Sequence, residues 1–174
     1  MEKQVNTNKD LLMLSLSRFY TQDDNVNIIK EIIDGKHSIS LRLLDWFVTN
    51  YSKKYNTCIE NVDGSYFKVY LSYRSQLKAY SKQQFDPFRR RERITFIYHL
   101  DKSIETTIGQ LNFFKWVIEN RILNYVEENI TNIENDMINA HKKKRKDDVV
   151  NTPEMYSTAS TMNKMHIPMV ISFN

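Results

Sequence analysis

Apolar residues recur every three to four positions from 9 to 56, every second position around 57–73 and 93–106, and every three to four positions again from 107 onward. A helix returns to the same face after about 3.6 residues, whereas a strand alternates faces at every residue, so neither an all-helical nor an all-strand chain carries this pattern. It predicts an α+β fold with N-terminal helices, a small antiparallel sheet carrying a basic helix-turn insertion, a long C-terminal helix and a flexible tail. The corresponding division is a frayed N-terminus at 1–8, a single domain at 9–140, and a basic run with the tail at 141–174. A chain of 174 residues with 41% apolar content can bury one core, and only three Gly and three Pro argue against a low-complexity protein.

The elements follow from local signals. Leu12, Leu16 and Phe19 make the stripe of a first helix; Val26, Ile29, Ile32 and Ile33 make that of a second, opening at Asp24 and closing at Gly35. A third helix starts from Ser38 or Ser40, buries Ile39, Leu43, Trp46, Phe47 and Tyr51, and ends at the cations Lys53 and Lys54. Asp63-Gly64, between alternating runs at 57–62 and 66–73, predicts a β-hairpin with a type I′ turn, placing Phe67, Val69, Leu71 and Tyr73 on one face. Residues 75–84 read as a two-turn helix that Asp86-Pro87 stops. Strands at 93–99 and 104–106, joined by a turn at 101–103, extend the sheet to three or four strands. Thr107-Ile108-Gly109-Gln110 has the form of a capping box. The helix it opens carries Leu111, Phe114, Ile118, Ile122 and Tyr125 on its stripe and Glu119, Glu127, Glu128, Glu134 and Asp136 on an acidic outer face. It either continues through Met137 or breaks near Asn129.

Charge is segregated along the chain. The net charge of +4 resolves into 0 over 1–70, +5 over 71–100, −4 over 101–140 and +3 over 141–174. Local charge sets the field at a surface, because salt screens exposed charges more than roughly 8–10 Å apart. The stretch Tyr73–Arg93 therefore stands out: Arg74, Lys78, Lys82, Arg89, Arg90, Arg91 and Arg93 face only Asp86 and Glu92, and Tyr73, Tyr80, Phe85 and Phe88 are interleaved with them. Arg74, Lys78 and Lys82 fall on one face of the predicted helix at i, i+4, i+8. Cations that hold phosphates and aromatics that stack on bases form the combination used for nucleic-acid backbones and unpaired strands, with Tyr73, Tyr80 and Phe88 as the stacking candidates. The run Lys142, Lys143, Lys144, Arg145 and Lys146 adds a second cationic element. The competing reading is that the arginines pair with the acidic C-terminal helix, +5 against −4. Four arginines at 89–93 are hard to satisfy that way, since neighbours in an extended segment point in opposite directions.

Enzyme signatures are missing from the sequence: it holds no Gly-rich phosphate loop, no GxSxG and no HExxH. The four histidines are scattered, and no metal or other cofactor is expected. The single cysteine, Cys58, excludes an intrachain disulfide and reads as a small packing residue; Asp45 reads as the polar side of an amphipathic helix. No window approaches the roughly 18 apolar residues of a membrane span, and a soluble intracellular protein is expected.

Three segments, SLRLLDWFVTNYSKKYN (40–56), VYLSYRSQLKAYSKQQFDPFRRRERI (69–94) and TTIGQLNFFKWVIENRILNYV (106–126), together resemble an uncharacterised protein family of nucleocytoplasmic large DNA viruses of the mimivirus and phycodnavirus type, over about residues 38–137. The resemblance implies a viral setting, in a cytoplasmic factory or the nucleus, with packaging in the virion a further possibility. It supplies no activity and no catalytic residue. The function expected is a noncatalytic nucleic-acid-binding or genome-associated viral protein, DNA or RNA being left open. The alternative is a virion-structural or interaction module that meets an acidic viral protein.

Overall fold

The computed structural model describes residues 7–22, 25–61, 63–89 and 91–150, with side chains at 22 and 146–150 excepted. Two N-terminal helices, α1 (Asn8–Gln22) and α2 (Asn25–Ile33), precede α3 (Leu41–Trp46), which runs through a π-helical turn (Phe47–Tyr51) into α4 (Ser52–Lys54). Asp24, the expected start of the second helix, lies outside the described residues. Ser40 caps α3, its hydroxyl accepting from the Leu43 amide at 3.2 Å. Strands β1 (Cys58–Glu60) and β2 (Tyr66–Lys68) pair antiparallel, with Ile59 opposite Phe67.

The turn between them differs from the type I′ expectation. That turn needs positive φ at both central residues, and only Gly64 has it (φ +79°); Asp63 contributes its carboxylate instead, accepting from the Ser65 amide at 2.9 Å and hydroxyl at 2.6 Å. These bonds hold the Asp63 pKa below the ordinary carboxylate range.

The second arm is a strand for three residues only. From Val69 the chain is helical, α5 (Val69–Phe85), six residues ahead of the predicted start. Val69 and Tyr73, four apart, are buried while Leu71 is exposed, so the period there is 3.6 and the alternation read from 67 to 73 is overturned. The cause is tertiary: Tyr73 and Phe85 meet Phe113 and Trp116 of the central helix at ring separations of 5.7–6.4 Å, and Trp116 Nε1 donates to Ser72 Oγ at 3.1 Å.

Strands β3 (Arg93–His99) and β4 (Lys102–Thr107) pair antiparallel, with Phe96 opposite Ile104 and an irregularity at Ile97/His99. The two hairpins form two separate two-stranded sheets rather than one sheet of three or four strands. The long C-terminal helix is three helices: α6 (Ile108–Glu119), α7 (Ile122–Glu128) and α8 (Ile130–Val150). The earlier break comes at Asn120–Arg121, where Asn120 Nδ2 caps the Trp116 carbonyl at 2.7 Å and Arg121 has φ +53°; the later one is at Asn129, which caps Tyr125 in the same way at 2.9 Å.

Helix α6 is the centre of the fold, buried from Ile108 to Phe114 without interruption. Tyr20 of α1 donates its hydroxyl to the Leu111 carbonyl at 2.5 Å, and burial pushes that phenol's pKa well up. Helix α8 docks on α3 and α4 through Asp136, which accepts from Trp46 Nε1 (3.1 Å), Lys54 Nζ (2.5 Å) and Tyr55 Oη (3.3 Å). Asp136 is therefore a sequestered anchor and not part of an acidic outer face. Burial alone would raise its pKa; the bonds from Lys54 and Trp46 hold it below the usual range.

Candidate nucleic-acid interface

The basic stretch is held where α5 ends against the start of α6. Pro87 stops α5, Asp86 Oδ1 accepts from the Phe88 amide at 2.9 Å, and the Arg89 amide donates to the Asp86 carbonyl at 3.2 Å. The first turn of α6 packs so closely that a Cβ on Gly109 would stand 2.8 Å from the Asp86 carbonyl oxygen. Thr107 caps α6, accepting from the Gln110 amide at 3.1 Å. The reciprocal half of the capping box is absent, because Gln110 Oε1 accepts from the Thr106 hydroxyl at 3.0 Å instead.

Two clefts flank this junction, and Thr107 lines both. The first, about 390 Å³, is lined by Lys9, Gln83, Gln84, Arg89, Arg91 and Glu92 beside Thr107 and Ile108. The one carboxylate among its described lining residues, Glu92, meets Lys9 at 3.6 Å across an exposed pair of the kind that contributes little. The second, about 460 Å³, brings Phe88, Arg93 and Gln110 together with Arg42, Glu105 and the apolar Ile32, Ile33 and Leu41.

The predicted site residues divide. Arg74, Lys78, Lys82, Arg91 and Arg93 are exposed and Arg89 is half-buried; none of the six forms an ion pair with another described residue. The acidic C-terminal helix does not neutralise them. Arg90 lies outside the described residues. Arg74 and Lys78 share a helical face, but Ser81 (φ 64°, ψ 165°) breaks the helix before Lys82, so the i, i+4, i+8 row is not continuous. Tyr73 is only 7% exposed and cannot stack on a base. Its pKa is pushed up to about 12 by burial, then by the charges of Asp45 and Asp86. Tyr80 is half-buried and lies nearly parallel to the Phe85 ring at 6.2 Å. Phe88, 40% exposed, is the stacking candidate left accessible.

Lys142–Arg145 are exposed on α8, in a helix rather than a tail; the Lys146 side chain and residues 151–174 lie outside the described residues. The run starts one residue after His141, whose Nε2 is 3.1 Å from Arg42 Nη2, and this contact leads from the second cleft to the basic run. Arg42, Lys9 and Gln110 were not legible as site residues: position 9 meets 89 and 91 in one cleft, and 42 meets 93 and 110 in the other and touches 141, only through the fold. Two other expectations change. Cys58 is exposed and packs in no core. Asp45 is half-buried, and desolvation followed by the Asp86 charge raises its pKa to about 6. Among the described residues no group of three His, Cys, Asp or Glu side chains could hold a metal ion, and no helix is long and apolar enough to cross a membrane.

Residues 1–171 match a family of unknown function, DUF7197. The chain belongs to this family. The match takes in the N-terminal helices and the C-terminal region, beyond the 38–137 over which the resemblance was read. The chain is similar to the uncharacterized protein L507 of Acanthamoeba polyphaga mimivirus, 42% identical over 149 residues, which is 80% of this chain and 58% of the mimivirus protein. The chain thus spans under two thirds of the length of that relative, and the kinship to a giant-virus protein agrees with the resemblance. No solved structure matches the chain.

Proposed function

We propose that this family member is a noncatalytic nucleic-acid-binding protein acting in a viral factory, nucleus or virion, with Arg89, Arg91 and Arg93 holding phosphates. The observation that carries this reading is the cationic edge itself. Six described cations of 74–93 have no described acidic partner, and two of them share a cleft with Lys9 beside the start of α6. Guanidinium groups left unpaired at a surface suit bidentate contact with phosphate oxygens. Lys142–Arg145, reached through Arg42 and His141, would extend the phosphate path and add salt-sensitive affinity.

Fluorescence anisotropy with labelled DNA and RNA across a salt series tests it. Removing one cation that neutralises a phosphate lowers the slope of log K against log salt by roughly 0.7–0.9. Arg89→Ala with Arg91→Ala is expected to lower it by about 1.4–1.8 and to weaken all sequences alike. Absence of binding at low salt, or an unchanged slope, overturns the proposal. A second reading, an interaction or virion-structural module, draws on the tip of the β3–β4 hairpin, where Ile97 is 66% and Leu100 99% exposed. It is favoured if the wild-type chain ignores nucleic acid and self-associates through that hairpin.

A further inference from the structure

We propose that the cleft beside Phe88 seats one unstacked nucleotide, so that the protein prefers single-stranded to duplex nucleic acid; this rests on the nucleic-acid reading above. Three aromatics were candidates for stacking, and burial removes Tyr73 while Phe85 occupies a face of Tyr80. What remains is Phe88, 40% exposed and on the wall of a cleft of about 460 Å³. That size falls within the roughly 300–1,000 Å³ of small-molecule sites and is far too small for a duplex.

The lining divides into the three kinds of group a nucleotide needs. Phe88 and the aliphatic Ile32 and Leu41 supply apolar surface for a base. Gln110 and Glu105 supply a donor and an acceptor for a base edge. Gln110 is 8% exposed and its Oε1 is taken by Thr106, which leaves its amide hydrogens without a described partner. Glu105 accepts from the Thr95 hydroxyl through Oε1, leaving Oε2. Arg42 and Arg93 supply cations for the phosphate, and Arg42 is steadied by His141 at 3.1 Å. Bases inside a duplex present no free face to Phe88, whereas an unpaired base can leave its stack and enter.

The test compares a labelled single strand, the same sequence as a duplex, and the four nucleoside monophosphates, against wild type, Phe88→Ala and Phe88→Leu. Stacking of one base on an aromatic ring corresponds to roughly 5- to 150-fold in affinity. Phe88→Ala is expected to weaken the single strand by that factor, leave the salt slope and the duplex affinity unchanged, and be followed by a smaller loss for Phe88→Leu, which keeps apolar volume without the ring. Melting curves confirm that both variants fold, as a residue 40% exposed should allow. If monophosphates bind saturably and Phe88→Ala abolishes this, the seat stands and a free nucleotide is an occupant; if only strands bind, the occupant is a nucleotide within a strand. Single-strand binding that falls with Arg89→Ala and Arg91→Ala but is indifferent to Phe88→Ala overturns the seat alone. Failure of wild type to bind any nucleic acid overturns the parent reading.

Discussion

Gly109→Ala perturbs the junction that carries the basic edge. In an ordinary helix the exchange is worth about 1 kcal/mol in favour of Ala, and less in the first turn, where Gly109 sits. Here the new methyl carbon would stand 2.8 Å from the Asp86 carbonyl oxygen and 3.3 Å from that of Gln83. Both are backbone atoms, so no rotamer change relieves the contact and α5 must move away from α6. Overpacking of this kind costs about 1–3 kcal/mol, giving a net destabilisation of about 1–2 kcal/mol after the helix gain. For a chain of 174 residues this lowers Tm by about 2–8 °C. Thermal unfolding followed by circular dichroism measures it. Because Asp86 also holds the Phe88 and Arg89 amides, the strand affinity proposed above should fall at temperatures where the variant is fully folded. A variant that melts at or above wild type would refute the close approach of α5 and α6 and the argument built on it.

Two further perturbations probe the same region. Asp45 has a folded pKa of about 6 against 3.8 for the free group, so the folded state binds its proton more tightly. That contribution to stability is full below about pH 4 and lost as pH rises through 6. A shift of this size would amount to about 3 kcal/mol in full burial, and partial exposure reduces it to about 1–2 kcal/mol. Asp45→Asn should therefore raise Tm by about 2–8 °C at pH 7.5 and leave it unchanged at pH 4; equal shifts at both would refute the assignment. Ser81 has φ 64° and ψ 165°, a region that only glycine occupies freely. Ser81→Gly should add about 1 kcal/mol, or roughly 2–4 °C in Tm, and a loss would show that the kink is not strained.

Much of the helical order is written locally. Ser40 and Thr107 cap the helices that follow them, Asp86-Pro87 stops α5, and of the stripe residues read for the second and third helices Val26, Ile29, Ile32, Ile39, Leu43 and Phe47 are buried while Ile33, Trp46 and Tyr51 are half-buried. These signals act within a few residues and survive any tertiary arrangement. The segment 67–73 is ambiguous in sequence because Val69, Leu71 and Tyr73 satisfy a period of two while Val69 and Tyr73 also satisfy i, i+4, and the side chains of Phe113 and Trp116 decide between them. The same holds for Tyr73, whose aromatic character suited a stacking role until α6 covered it.

By itself the sequence determined an α+β chain with a segregated basic stretch, the capped starts of α3 and α6, the stop of α5, and its kinship to a giant-virus family, because composition, periodicity and capping act over short distances along the chain. Only the tertiary structure decided that the described arginines of 74–93 form no ion pair with the acidic helices, that Asp136 is an anchor, and that of the three stacking candidates Phe88 alone stays exposed. It also decided that Arg42 joins Arg93 and Gln110 in one cleft. Those outcomes depend on which surfaces meet across tens of residues, and burial against a partner, rather than residue type, settles whether a side chain packs or remains free to bind.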